Sequence, residues 1–244
     1  MPLTAHLAEL RSRLIKSLVA VGIAFVLCYQ FVETLMAWLI APLKALDPAA
    51  KVQVIGTGLA EAFFTKLKVS FIAGIFLASP VIFYQIWRFV APGLYEHERR
   101  YVQPFVFFAT GFFVCGAYFC YRLVFPTAFG FFLAEYGSIS IEPLLKISEY
   151  LSFASRMLLA FGVVFELPVF TFFLARTGIV DHKMMIGTWR YAVVGIFIVA
   201  AVLTPGPDVA SQLLMATPLL VLYVASIGVA YAFGQPRRSG GAAS

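Results

Sequence analysis

Runs of about 17–25 apolar residues recur along this chain, and they constrain its fold more than any other feature. A helix of about that length crosses the hydrocarbon core of a bilayer, which is about 30 Å thick. Only 12% of the residues are charged and 61% are hydrophobic, whereas a soluble domain carries about 25% charged residues. A transmembrane barrel would show shorter strands of alternating hydropathy, and these runs do not alternate. The chain is therefore predicted to be an all-α membrane protein.

The apolar runs divide into six predicted spans within a single membrane domain, residues 1–234. A short amphipathic helix at 1–13, with its leucines on one face, is predicted to precede the first span. Residues 34–61 are expected to form an outer cap with a short interfacial helix, and 235–244 a disordered cytoplasmic tail. The six spans are residues 14–33, 62–90, 101–125, 151–175, 189–204 and 210–232.

The distribution of Lys and Arg predicts how the spans are oriented. Of the 18 Lys and Arg residues, eleven fall in segments predicted to be inner and seven in segments predicted to be outer. Cytoplasmic loops carry an excess of Lys and Arg, so both termini are predicted to be cytoplasmic. This rule also accounts for the net charge of +6 without a nucleic-acid partner. Cys28, Cys115 and Cys120 lie in apolar runs, and their odd number argues against a disulfide framework or a metal site.

Glu166 lies in the middle of the predicted fourth span, beside Pro168. A charge at that depth costs at least ~2.5–3.5 kcal/mol. No basic residue lies three or four positions away. Two interpretations follow. In one, Glu166 is protonated and hydrogen-bonded to a hydroxyl on another helix. In the other, it faces a hydrated cavity, meets a partner's polar group or takes part in proton transfer.

The segment from Phe89 to Arg100 is a polar hinge between two apolar blocks, because Pro92 and Gly93 end the preceding helix. Glu96 has Arg100 at i+4, which predicts a local pair. Glu98 has no cation at that spacing. It is either an ordinary loop acid, which is the commoner case, or a carboxylate that binds something basic outside the loop. The aromatic and proline residues around it favour the second interpretation.

Glu9 is predicted to lie on the same side of the membrane as Glu98. It belongs to the polar face of the N-terminal helix with His6, Arg11 and Arg13. Arg13 stands at i+4, so a simple local ion pair is the plainer interpretation of Glu9. Two carboxylates on one side would also form a receptor for two guanidiniums, which bind carboxylates bidentately.

No arrangement of residues typical of an enzyme is found, and no cofactor or metal is predicted. His6, His97 and His182 fall in predicted surface segments, and the chain has no HExxH, GxSxG or phosphate-loop motif. Asp208 is placed to cap the sixth helix. Thr204 and Gln212 flank the turn before that helix, where they could hydrogen-bond a partner helix.

Four ordered motifs together resemble the TatC family, the multispanning subunit of the twin-arginine protein translocase. They are HLAELRSRL at 6–14, PVIFYQIWRFVAPGLYEHERR at 80–100, YLSFASRMLLAFGVVFELP at 150–168 and LTPGPDVASQ at 203–212. The resemblance covers nearly the whole chain. Gly206 is a departure, since it lengthens the turn that is TPPD in some members.

The resemblance implies six helices in a concave, glove-like arrangement in the bacterial inner membrane, with both termini cytoplasmic. It implies that Glu98 and Glu9 bind the consecutive arginines of signal peptides on folded cargo. It further implies that Glu166 contacts the signal peptide or single-span TatA- and TatB-type subunits, in an oligomeric complex driven by the proton-motive force. Other matches to the loop signature are Phe89, Pro92, Leu94, Tyr95, Arg99 and Arg100, and the turn motif for partner helices includes Thr204, Asp208 and Gln212.

A rival hypothesis is a small-solute or ion transporter that uses Glu166 as its coupling site. Transporters commonly show internal repeats and several intramembrane charges, whereas this chain shows no repeat and Glu166 alone lies deep in a span. A third class, the intramembrane hydrolases, would need a nucleophile and base pair that the sequence does not display.

Overall fold

A computed structural model describes residues 3–46, 53–90, 102–138, 143–176, 178–204 and 209–234. The chain divides into two compact units, Met1–Phe161 and Gly162–Ser244. Within the described residues, five helical segments are long and apolar enough to cross a membrane, and one further apolar helix is shorter. The five are His6–Gln30, Glu61–Phe89, Gln103–Tyr136, Ile147–Arg176 and Val209–Phe233, and the shorter one is Trp189–Leu203.

Helices also dominate the first unit. Its elements are α1 (Leu3–Gln30), α2 (Val32–Leu46), β1 (Gln53–Ile55), α3 (Glu61–Val90), α4 (Val102–Phe119), α5 (Phe125–Ser138), β2 (Leu144–Lys146) and α6 (Ile147–Phe165). The strands β1 and β2 pair in parallel, with Gln53 opposite Leu144. Three residues are too few to display an alternating pattern, so no hydropathy pattern indicated this strand pair.

The amphipathic N-terminal segment and the first span form one continuous helix, α1, rather than the two separate elements expected. No proline or glycine interrupts the chain between Leu3 and Val21, so nothing breaks the helix there. Leu7 and Leu14 are exposed, whereas polar residues of the opposite face pack against α3. The start of α1 therefore turns its leucines outward and its polar face toward the protein.

Helices α1 and α3 are antiparallel, as four contacts along their length demonstrate. His6 stacks on Phe89, Arg13 reaches Gln85, Gly74 lies against Phe25, and Lys66 donates to Glu33 just past the end of α1 at 2.9 Å. This last hydrogen bond and the charge of Lys66 lower the pKa of Glu33. Between the polar ends, Val21, Ala24 and Ala78 form an apolar cluster.

The third span contains a π-helical turn, Cys120–Val124, between α4 and α5. The Phe125 N–H donates to the Cys120 carbonyl, the i→i+5 bond that defines this turn. Pro126 follows directly and cannot donate a backbone N–H, so the regular helical ladder is interrupted there. The predicted end of this span at residue 125 falls directly after the π-helical turn, and helix α5 continues to Ser138.

The second unit contains α7 (Leu167–Arg176), α8 (His182–Gly187), α9 (Trp189–Leu203) and α10 (Val209–Phe233). Helix α10 packs against the other three. The hydroxyl of Tyr223 on α10 donates to the Met185 carbonyl at 2.9 Å, and Phe233 makes an edge-to-face contact with Phe172. Helix α9 has 15 residues, a length of about 22 Å, which is shorter than the hydrocarbon core.

Candidate functional site

Polar and aromatic side chains meet where the start of α1 packs against the end of α3. His6, Glu9 and Arg13 are spaced i, i+3 and i+7 on α1, and Gln85 and Phe89 are spaced i and i+4 on α3, so each set lies on one helical face. We call these five residues the α1–α3 end cluster. The rings of His6 and Phe89 stack with centroids 4.5 Å apart.

Glu9 forms an ion pair with Arg13 inside this cluster. The Arg13 Nε donates to Glu9 Oε1 at 3.0 Å, and Nη2 donates to the same oxygen. The remaining terminal nitrogen, Nη1, donates to Gln85 Oε1 at 3.4 Å. The side chains of Arg13 and Glu9 are 15% and 25% exposed. The local pair expected from the i+4 spacing is therefore present, and it is also tied to α3.

Two of the predicted signal-binding residues, Glu9 and Phe89, lie together in the end cluster. The other members of the loop signature and Asp208 lie outside the described residues, and their roles stay predictions. These are Pro92, Leu94, Tyr95, Glu98, Arg99 and Arg100. The loop that carries Glu98 follows directly after the end of α3, the helix that supplies Gln85 and Phe89 to the cluster.

Glu166 occupies a break in the predicted fourth span, which forms two helices rather than one. It stands between α6 and α7 and is only 3% exposed. Its N–H donates to Val163 at i−3, and its carbonyl accepts from Phe170 at 2.8 Å. Pro168 cannot donate to the carbonyl four residues before it, which accounts for the break. A buried carboxyl at a helix break fits both interpretations drawn from the sequence.

Thr204 and Gln212 make hydrogen bonds within the second unit. The Thr204 hydroxyl is buried and donates to the Ala200 carbonyl at 2.8 Å. Gln212 Nε2 donates to the Phe197 carbonyl at 3.0 Å, which links α10 to α9. These two hydrogen bonds hold the end of α9 in place, and the predicted contact with a partner helix stays a prediction.

An apolar cavity of about 460 Å³ lies within the first unit, toward the end of α3 that is remote from Glu9. Cys28, Trp38, Phe76, Tyr118 and Leu158 are among the residues that line it. They come from α1, α2, α3, α4 and α6, so the cavity depends on tertiary packing and could not be located from the sequence.

A model of the family described as Sec-independent protein translocase protein (TatC) matches residues 5–218. The chain belongs to the TatC family. The TatC protein of Desulforapulum autotrophicum is 48% identical over 238 residues, which cover 98% of this chain and 87% of that protein. The TatC protein of Magnetococcus marinus is 46% identical over 227 residues, 93% of this chain and 82% of that protein.

Solved TatC structures share the fold. The crystal structure of the twin-arginine translocase receptor TatC superposes with a TM-score of 0.84 at 36% identity, covering 92% of this chain and 97% of that chain. The same receptor crystallised in DDM gives a TM-score of 0.85 at 35% identity, covering 92% and 99%. These matches confirm the predicted family and the six-helix membrane fold. This TatC chain is thus a multi-pass component of a Sec-independent protein translocase.

Sequence reasoning missed Gln85 and its contact with Arg13. The Glu9–Arg13 spacing was visible, but the contact with Gln85 joins residues 72 positions apart and depends on the register of α1 against α3. A glutamine in an otherwise apolar helical stretch, IFYQIW, was the one available signal.

Proposed function

We propose that this TatC chain is the signal-peptide receptor of a twin-arginine translocase and that Glu9 and Glu98 bind the paired arginines. The observation that carries the proposal is the position of Glu9. Its carboxylate is held at the end of α1 against the end of α3, next to the start of the loop that carries Glu98. The solved structures that share this fold are of a twin-arginine translocase receptor.

The proposed recognition uses two charge-assisted contacts. Guanidinium can donate two N–H groups to one carboxylate, on both oxygens or on a single oxygen as Arg13 does to Glu9 Oε1, whereas an ammonium acts as a point charge. Hydrogen bonds to charged groups contribute about 1.5–3 kcal/mol each. A receptor with two carboxylates would therefore prefer paired arginines over paired lysines, and losing either carboxylate would reduce that preference.

Later steps of the proposal concern the membrane and the partner subunits. The apolar part of the signal enters the membrane region, and Glu166 contacts it or a single-span TatA- or TatB-type subunit. Thr204, Asp208 and Gln212 form a docking position for partner helices. The complex is oligomeric, lies in the bacterial inner membrane with both termini cytoplasmic, and uses the proton-motive force rather than a reaction catalysed by this chain.

The burial of Glu166 is also consistent with a rival proposal, a solute or ion transporter. A carboxyl that is 3% exposed in a membrane helix is also what a coupling site of a solute or ion transporter would need. The rival assigns no binding role to Glu9 or Glu98. Their substitution therefore separates the two proposals.

The test compares binding of two synthetic signal peptides, one with Arg-Arg and one with Lys-Lys, to the full chain in lipid nanodiscs. We expect wild type to prefer Arg-Arg, and Glu98→Ala and Glu9→Gln each to reduce the preference. Glu135→Gln is a suitable control, because Glu135 is an exposed acid near the end of α5. If all variants bind both peptides alike, the receptor proposal is wrong and the transporter proposal gains.

A further inference from the structure

Arg13 contacts the Glu9 carboxylate through one oxygen only. Its Nε and Nη2 both donate to Oε1. Within the part of the chain that the structure describes, no hydrogen bond reaches Oε2 of Glu9. A carboxylate offers about four acceptor positions over its two oxygens. Arg13 therefore leaves about half of the acceptor capacity of Glu9 for another donor.

Gln85 holds Arg13 from the other side. Its Oε1 accepts from Nη1 of Arg13 at 3.4 Å, and the Arg13 side chain is 15% exposed. A long side chain fixed at both ends of its guanidinium and largely buried is a rigid support, since it has little rotamer freedom left. Through Arg13, the Glu9 carboxylate is tied to α3 and not only to its own helix.

We propose that Arg13 is a positioning residue for arginine recognition: by binding Oε1 and Gln85, it fixes the Glu9 carboxylate so that Oε2 can accept from an incoming guanidinium. The inference rests on the proposed function, because it specifies how Glu9 is prepared for its ligand. Support of this kind resembles the contacts that orient ligands and catalytic groups in other sites.

The charge of Arg13, considered alone, predicts that Arg13 weakens the binding of the signal peptide rather than supporting it. Arg13 carries a positive charge beside the proposed binding carboxylate, so it repels a cationic peptide and neutralises part of the charge on Glu9. If Arg13 acted only through its charge, its removal would strengthen binding. If it positions Glu9, its removal weakens binding in spite of that charge. The two roles of Arg13 therefore predict changes of opposite sign in peptide affinity when Arg13 is replaced.

The experiment measures the affinity of labelled Arg-Arg and Lys-Lys signal peptides for the full chain in nanodiscs. We expect Arg13→Gln to weaken Arg-Arg binding about tenfold, the equivalent of roughly one charge-assisted hydrogen bond, with little change for Lys-Lys. Arg13→Lys keeps the positive charge but loses the planar set of guanidinium N–H donors, so we expect an intermediate affinity for the Arg-Arg peptide. Lys16→Gln is the matched control, because it removes the same charge from an exposed position on α1.

A double-mutant cycle separates positioning from a general effect on the fold. On a Glu9→Gln background, Arg13→Gln should change Arg-Arg binding no further, since the group that it positions is gone. A purely structural role would instead lower the binding of both peptides together and add to the effect of Glu9→Gln.

Two results would overturn the inference: Arg-Arg binding to Arg13→Gln that equals or exceeds wild type, or an equal loss for both peptides. A different set of binding results would show that the proposed receptor function itself is wrong. In that case wild type shows no Arg-Arg preference, or Glu9→Gln leaves the preference intact, and the positioning role falls with it.

Discussion

Substitution of Gly74 by alanine tests whether the close approach of α1 and α3 holds the membrane core of the first unit together. A Cβ at Gly74 would lie 2.9 Å from the backbone nitrogen of Phe25 and 3.0 Å from its Cα. Both atoms belong to the backbone of α1, so no side-chain rotation relieves the contact and the helices must separate. Small residues at such seams are what allow membrane helices to pack closely.

The magnitude follows from two opposing effects. Forcing a methyl group into a packed contact costs about 1–3 kcal/mol, while alanine in place of glycine gains up to about 1 kcal/mol of helix propensity. Gly22→Ala on α1 is the matched control, because nothing lies within 4 Å of a Cβ built there. The propensity gain is common to both variants. The difference in free energy of unfolding between them should therefore be about 1–3 kcal/mol.

Thermal unfolding of both variants in the same detergent measures this difference. A change of 1 kcal/mol shifts the Tm by about 2–4 °C for a chain of roughly this size, so Gly74→Ala should melt several degrees below Gly22→Ala. Equal melting temperatures for the two variants would refute the reasoning, since they would mean that α1 and α3 are not held together by contact at Gly74.

Two further predictions concern hydrogen bonds that join α6 to α2 and to the start of α3 in the first unit. Tyr150→Phe should lower the free energy of unfolding by about 1 kcal/mol, because the buried Tyr150 hydroxyl donates to the Leu39 carbonyl at 2.9 Å. The control Tyr231→Phe, at an exposed position, should change the Tm little. An equal loss of stability in both variants would count against a stabilising role for the Tyr150–Leu39 hydrogen bond. Glu61→Gln should lower the Tm more than Glu149→Gln does. Glu61 accepts from the Gly58 N–H at 2.9 Å and the Ser148 N–H at 3.2 Å, whereas Glu149 is mostly exposed. Similar melting curves for the two variants would contradict this prediction.

The apolar runs predicted the helical fold correctly because the bilayer leaves few alternatives for a long apolar segment. Irregularities of the backbone within an apolar run were harder to predict from the sequence. The break at Glu166 follows from Pro168, and the π-helical turn at Cys120–Val124 precedes Pro126. Both prolines are visible in the sequence, and a proline within a helix kinks or breaks it. Whether a kink becomes a bend, a π-turn or a full break depends on how neighbouring helices pack.

Some residues of the candidate site were predictable from the sequence, but their contacts were not. Glu9 and Phe89 were identified from motifs, and the structure brings both into the α1–α3 end cluster. The link from Arg13 to Gln85 requires the register between two helices, which hydropathy does not encode. The β1–β2 pair was missed for the same reason, since its strands are about 90 residues apart and three residues long.

The register of α1 against α3 explains why Glu9 has a fixed position at all. The middle of the seam is apolar and built from small residues such as Ala24, Gly74 and Ala78, which alone would tolerate sliding. Polar contacts mark both ends: Arg13 meets Gln85 at one, and Glu33 just beyond α1 meets Lys66 at the other. Sliding α1 by one turn, about 5.4 Å, would break both at once. The Glu9 carboxylate is therefore placed by the packing of two whole helices, and a substitution deep in the seam should disturb it as surely as one beside it.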